Sequence, residues 1–104
     1  MLNLYKAKTP TAMANFSTAI LRHSSVWNIP ESETLQIKGF PDNVLFHWNQ
    51  GYELLHFINR YMEYRGWYAA VTFQNIESVI KTRLPFSAKT HNDVKNWLDV
   101  NFKR

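Results

Sequence analysis

The chain has 104 residues, 45% of them apolar, which suits one folded domain spanning 1–104 and argues against disorder. It contains no cysteine, so disulfides, thiolate catalysis and cysteine-based zinc sites are excluded and a cytoplasmic setting is expected. The formal net charge of +4 belongs wholly to residues 78–104, which hold six basic and two acidic side chains, whereas residues 1–77 hold six of each.

In chain order, Thr9 and Pro10 suit the start of a helix, and Met13, Phe16 and Ile20 follow at helical spacing, so a helix is expected over 10–22. The N-terminus has no signal-peptide layout. Residues 34–40, TLQIKGF, alternate Leu35 and Ile37 with Gln36 and Lys38, the pattern of a half-buried strand. Pro41-Asp42-Asn43 has turn chemistry, and 44–48 place Val44, Phe46 and Trp48 on one side, Leu45 and His47 on the other. Together these runs predict a β-hairpin over about 34–48. Residues 52–65 read as the clearest helix, with Leu54, Leu55, Phe57, Ile58, Tyr61 and Met62 on one face and Tyr52, His56, Asn59, Arg60 and Glu63 on the other. Gly66 suits a left-handed cap.

The apolar run 67–71 predicts a third strand; it is far too short to cross a bilayer, and no membrane partner is expected. Thr72 can cap a helix over 73–83 that ends before Pro85. Thr90 and Asp93 resemble a capping box for a last helix over 91–102, which buries Val94, Trp97 and Leu98. The predicted fold class is α+β: a small antiparallel sheet packed with four helices, two of them at the C-terminus.

The localised positive charge points to an anionic partner. The last two helices have the outline of a helix-turn-helix, in which Lys89, His91, Asn92, Lys95 and Asn96 would reach bases while Lys81, Arg83, Lys103 and Arg104 neutralise phosphates. The break over 84–89 is longer than that motif's turn and lacks glycine, and Asp93 and Asp99 would repel phosphate. A second surface, Arg60, Tyr64, Arg65 and Trp67, with Trp27 beside it, carries the residue types of protein-binding hot spots.

Catalytic signals are sparse. Gly39, Gly51 and Gly66 are isolated, so there is no phosphate-binding loop. Glu53 and His56 make one metal-type pair where di-metal bundles need two, so no metal and no other cofactor is expected. His56, Arg60 and Tyr64 offer acid–base chemistry, but their spacing does not single them out. The expectation is a small non-catalytic binding protein that contacts nucleic acid or a nucleoprotein complex. The alternative is a protein–protein interaction module, such as an inhibitor, an immunity or antitoxin-like protein, or a small subunit of an assembly. Basic residues clustered on one folded face would favour the first; scatter would favour the second.

Overall fold

Three long helices and one short one account for the regular structure. The computed structural model describes residues 15–104, and among these there is no β-strand. Among the described residues the helices are α1 (Glu31–Thr34), α2 (Gly51–Arg65), α3 (Ala70–Arg83) and α4 (His91–Asn101), preceded by a 3₁₀ turn at Thr18–Ile20. Over the described residues the expected α+β fold is thus corrected to a mostly helical one without a sheet. No helix among the described residues is long and apolar enough to cross a membrane.

The core is organised by α2. Glu53 in its first turn and Arg65 in its last match the helix dipole. Gly66, at φ 73°, ends it in the left-handed conformation, and the Trp67 N–H closes the turn on the Met62 carbonyl at 2.8 Å. Leu54, Phe57, Ile58, Tyr61 and Met62 are fully buried and join one cluster with Phe73 and Ile76 of α3 and Val94 and Leu98 of α4. Each such side chain contributes about 1.5–3 kcal/mol by leaving water. α4 starts on the expected capping box: the Asp93 N–H donates to Thr90 Oγ1 and the Thr90 N–H donates to Asp93 Oδ2, both at 3.1 Å.

Each predicted strand is replaced for a local reason. Thr34 ends α1 instead of starting a hairpin; its hydroxyl donates to the Glu31 carbonyl at 2.8 Å, and the chain turns through Leu35, Gln36 and Ile37. Residues 44–46 are extended, but their partner is the entrance to α4. The Phe46 N–H donates to the Lys89 carbonyl at 2.8 Å and the His91 N–H to the Val44 carbonyl at 3.1 Å. These two bonds make an isolated bridge, Leu45 to Thr90, and no sheet. In place of the third strand, residues 67–69 connect two helices and α3 begins at Ala70, three residues earlier than Thr72 and Phe73 suggest. The two alanines favour a helix, and Tyr68 and Val71 remain exposed at 60% and 62%, without the burial a strand there would need.

The polar face of α2 is partly covered: Asn59 is buried, Tyr52, His56 and Arg60 are half-buried, and Glu63 stays exposed. Of the predicted helix 10–22, residues 10–14 lie outside the described residues, and 15–22 hold only the 3₁₀ turn Thr18–Ile20; the segment 15–26 lies as a strap across α2 and α3. The buried Asn59 side chain accepts from the Phe16 N–H at 2.9 Å and donates to its carbonyl at 3.0 Å, a pairing that replaces helical bonds. Glu77, fully buried on α3, accepts from the Arg22 and His23 N–H groups, both at 2.9 Å. Farther along, the Asn28 and Ile29 N–H groups both donate to Gln50 Oε1 at 3.0 Å.

Trp27 seats its ring directly on Gly51, where a Cβ atom would lie 2.3 Å from the indole. Gly51→Ala is therefore expected to expel the ring and lower stability by about 1–2 kcal/mol, the cost of overpacking less the helix-propensity gain of alanine. A lower denaturation midpoint with red-shifted tryptophan emission would register it.

Candidate functional site

A buried chain of polar groups joins the start of α2, the start of α4 and the 44–48 segment. Glu53, whose side chain is 4% exposed, is its hub. Oε2 accepts from the His47 N–H at 3.0 Å and from His91 Nε2 at 2.9 Å, and Oε1 accepts from His47 Nδ1 at 3.0 Å. On its far side His91 Nδ1 receives Arg60 Nη2 at 3.1 Å, and Arg60 Nε donates to the Gly39 carbonyl at 3.0 Å. A guanidinium has no lone pair to offer, so His91 Nδ1 is the acceptor and Nε2 carries the proton given to Glu53. Burial alone would raise the Glu53 carboxyl, but the bonds from His91 and from both His47 donors outweigh it and hold it below its ordinary value of 4.5. Burial lowers the Arg60 guanidinium, opposed by the Glu53 charge.

The same carboxylate orients His47. Because Glu53 is ionised and accepts, His47 Nδ1 bears a proton, and the neutral ring keeps its lone pair at Nε2. The ring is anchored at Nδ1, and its side chain is 51% exposed. His47 lines a cleft of about 420 Å³ between residues 45–48, the last turn of α3 and the α3–α4 loop. A second depression, of about 480 Å³, lies beside the 23–26 part of the strap, and Trp48, Lys81 and Thr82 line both. The two form a groove with Trp48 and Lys81 at its middle. No carboxylate lines either part among the described residues, whereas His23, His47, Lys81 and Lys89 do.

Lys81 Nζ donates to the Ser24 carbonyl at 2.6 Å and to Ser25 Oγ at 3.0 Å, and lies 5.7 Å from the Trp48 ring. Burial lowers its ammonium, opposed by the Glu77 charge. Lys89 lies 4.1 Å from the Phe86 ring. Trp48 is 47% and Phe86 91% exposed, so both present flat faces to solvent beside ammonium groups.

The remaining sequence-derived candidates divide. Arg83 is exposed at the end of α3, as are Asn96 and Lys103 on and beyond α4. Lys95 and Arg65 both engage Asp99, at 3.0 and 3.3 Å. Trp67 is buried; Arg65 and Arg104 lie 4.4 and 5.4 Å from its ring. The helix-turn-helix outline is corrected at its reading end: His91 is fully buried, the Asn92 N–H donates to the Pro41 carbonyl at 3.1 Å, and residues 41–46 cover the start of α4. The Arg–Tyr edge also separates. Arg60 turns inward to His91, while Tyr64 and Arg65 stay at the surface. His56 pairs with Glu31 at 2.8 Å, so His56, Arg60 and Tyr64 do not form a common site, and His47 and Glu53 meet without it. Among the described residues no group of three or more His, Asp or Glu side chains is arranged to hold a metal ion.

Sequence reasoning missed the role of Trp48 and Phe86 and the joining of His91 to Glu53. One signal was available: Glu53 lies four residues before Phe57 and one before Leu54, on the apolar side of its helix, where an unpartnered carboxylate would be costly. Compared with known proteins, the chain matches no family model, no curated protein and no solved structure.

Proposed function

We propose that the chain binds single-stranded nucleic acid along the groove centred on Trp48 and Lys81. The observation that carries this reading is the composition of the groove walls: lysines beside exposed aromatic rings, with no carboxylate among the described lining residues. Unpaired bases stack on aromatic faces with little regard to sequence, at about 1–3 kcal/mol per base. The ammonium groups of Lys81 and Lys89 meet the phosphates between them. Trp48, shared by both depressions, supplies the central stacking face, and Arg83, exposed at the end of α3, adds charge nearby. Lys95 belongs to a different surface, already matched by Asp99, so the basic residues scatter, which by itself favours a protein partner; the carboxylate-free walls around Lys81 and Lys89 are what favour nucleic acid.

Fluorescence anisotropy with labelled single-stranded DNA and RNA, titrated against salt, tests this. Binding is expected to weaken linearly on a log–log plot, and Lys81→Glu with Lys89→Glu to lower the slope by about 0.7 for each phosphate that is no longer neutralised. The double variant is expected to bind at least about tenfold more weakly, through weaker attraction and new repulsion. Equal binding by wild type and variant would reject the groove. The exposed Leu45, Trp48 and Phe86 also suit an apolar segment of a protein partner; no binding to nucleic acid at low salt would favour that reading.

A further inference from the structure

We propose, resting on the nucleic-acid reading of the groove, that it also cuts RNA, with His47 as the general base. The polar chain beneath the groove holds this imidazole in one tautomer and one orientation. Glu53 accepts a hydrogen bond from Nδ1–H at 3.0 Å and another from the His47 backbone N–H at 3.0 Å, so both the ring and its own peptide are fixed on one carboxylate. That carboxylate is itself held by His91 at 2.9 Å, and His91 by Arg60 at 3.1 Å. A purely structural link between α2 and α4 needs only Glu53, His91 and Arg60. His47 adds a half-exposed ring whose Nε2 has no protein partner among the described residues, and it lines the cleft that also holds Lys81 and Lys89. A positioned base beside cations that neutralise a phosphoryl group is the minimum equipment for transesterification within RNA.

The step balances without a cofactor. His47 Nε2 takes the proton of a ribose 2′-hydroxyl. The 2′-oxygen forms a bond to the adjacent phosphorus as the bond from phosphorus to the 5′-oxygen breaks. The leaving 5′-oxygen takes a proton from water in the open groove, and the resulting hydroxide is neutralised by the proton on His47. The products are a 2′,3′-cyclic phosphate and a 5′-hydroxyl, and nothing is oxidised or reduced. Lys81 and Lys89 offset the charge that gathers on the phosphoryl oxygens. DNA, lacking the 2′-hydroxyl, is bound and left intact.

The full chain is incubated, with EDTA present, with an end-labelled RNA 12-mer, an all-DNA counterpart, and a DNA strand carrying one ribonucleotide. Cutting is expected in the RNA and at the single ribonucleotide, with cyclic-phosphate ends. At RNA concentrations that saturate binding, His47→Ala is expected to cut at least about 100-fold more slowly, the usual contribution of a general base. His47→Gln is expected to behave likewise; because both variants give up the ring's bond to Glu53, each is assayed well below its own melting temperature, which separates a missing base from a damaged fold. Cutting by either variant at the wild-type rate, or cutting abolished by EDTA, overturns the proposal. RNA bound but left whole overturns the activity and spares the binding reading. No binding to any strand overturns both.

Discussion

Glu53→Ala is expected to lower stability by about 3–5 kcal/mol, a large part of the roughly 5–15 kcal/mol that holds a domain together. The carboxylate is the acceptor for three donors, two on His47 and one on the fully buried His91. Without it, the Nε2–H of His91 is left unpaired in the core, and the charge of Arg60, only one residue removed from it, loses its counterion. The same substitution changes the response to acid. The Glu53 carboxyl is lower in the folded chain than in the unfolded one, because its hydrogen bonds outweigh the burial that would raise it. Its stabilisation is therefore complete above the unfolded value, near 4.5, and is lost as pH falls through the lower folded value. Asp99 titrates in the same direction, with burial outweighed by Tyr61, Lys95 and Arg65, and so does the capping Asp93. Wild type is expected to lose melting temperature steeply below about pH 4.5, and Glu53→Ala to lose it more gently from a lower starting point. Parallel curves would mean that Glu53 is not held in its ionised form by the fold.

Phe57→Ala is expected to cost about 3–5 kcal/mol by leaving a cavity at the centre of the aromatic cluster. Phe57 is fully buried, with the rings of Phe40, Phe46 and His91 at 5.5, 4.7 and 5.6 Å. Arg60 also lies over it, at 5.9 Å. The ring thus packs against both the apolar core and the polar chain that carries His47. Urea unfolding followed by circular dichroism measures the loss as a lowered midpoint; an unchanged midpoint would contradict the packing described.

The three long helices were legible because their signals are local. Periodic apolar residues, Gly66 after α2 and the Thr90–Asp93 pair before α4 each act within a few positions. The strands misled because alternation reports an extended or half-buried segment and not a partner for it. Val44–Phe46 is extended, yet its hydrogen bonds go to Lys89 and His91, more than forty residues onward. At Leu35 and Ile37 the alternation is incidental to a turn held by Thr34. Buried polar residues were the other blind spot. By spacing Asn59 falls on the polar face of its helix, and the sequence reading gives Glu77 no role, though it lies four residues after Phe73 and three before Ile80, on the apolar side of α3. There it finds the backbone of the strap, a partner that no local pattern announces. The groove was illegible for the same reason, since it is assembled from residues 23–26, 44–48 and 80–89 only after folding.

The most direct test of the groove as the binding face is residue-resolved NMR of the ¹⁵N-labelled full chain titrated with an unstructured single-stranded 12-mer. The expected result is a set of shifts confined to the Trp48 indole, the Lys81–Thr82 amides, Phe86, Lys89 and the His47 ring, with Asn96 and Lys103 unmoved. Shifts centred on the outer face of α4 and absent from Trp48 would contradict it.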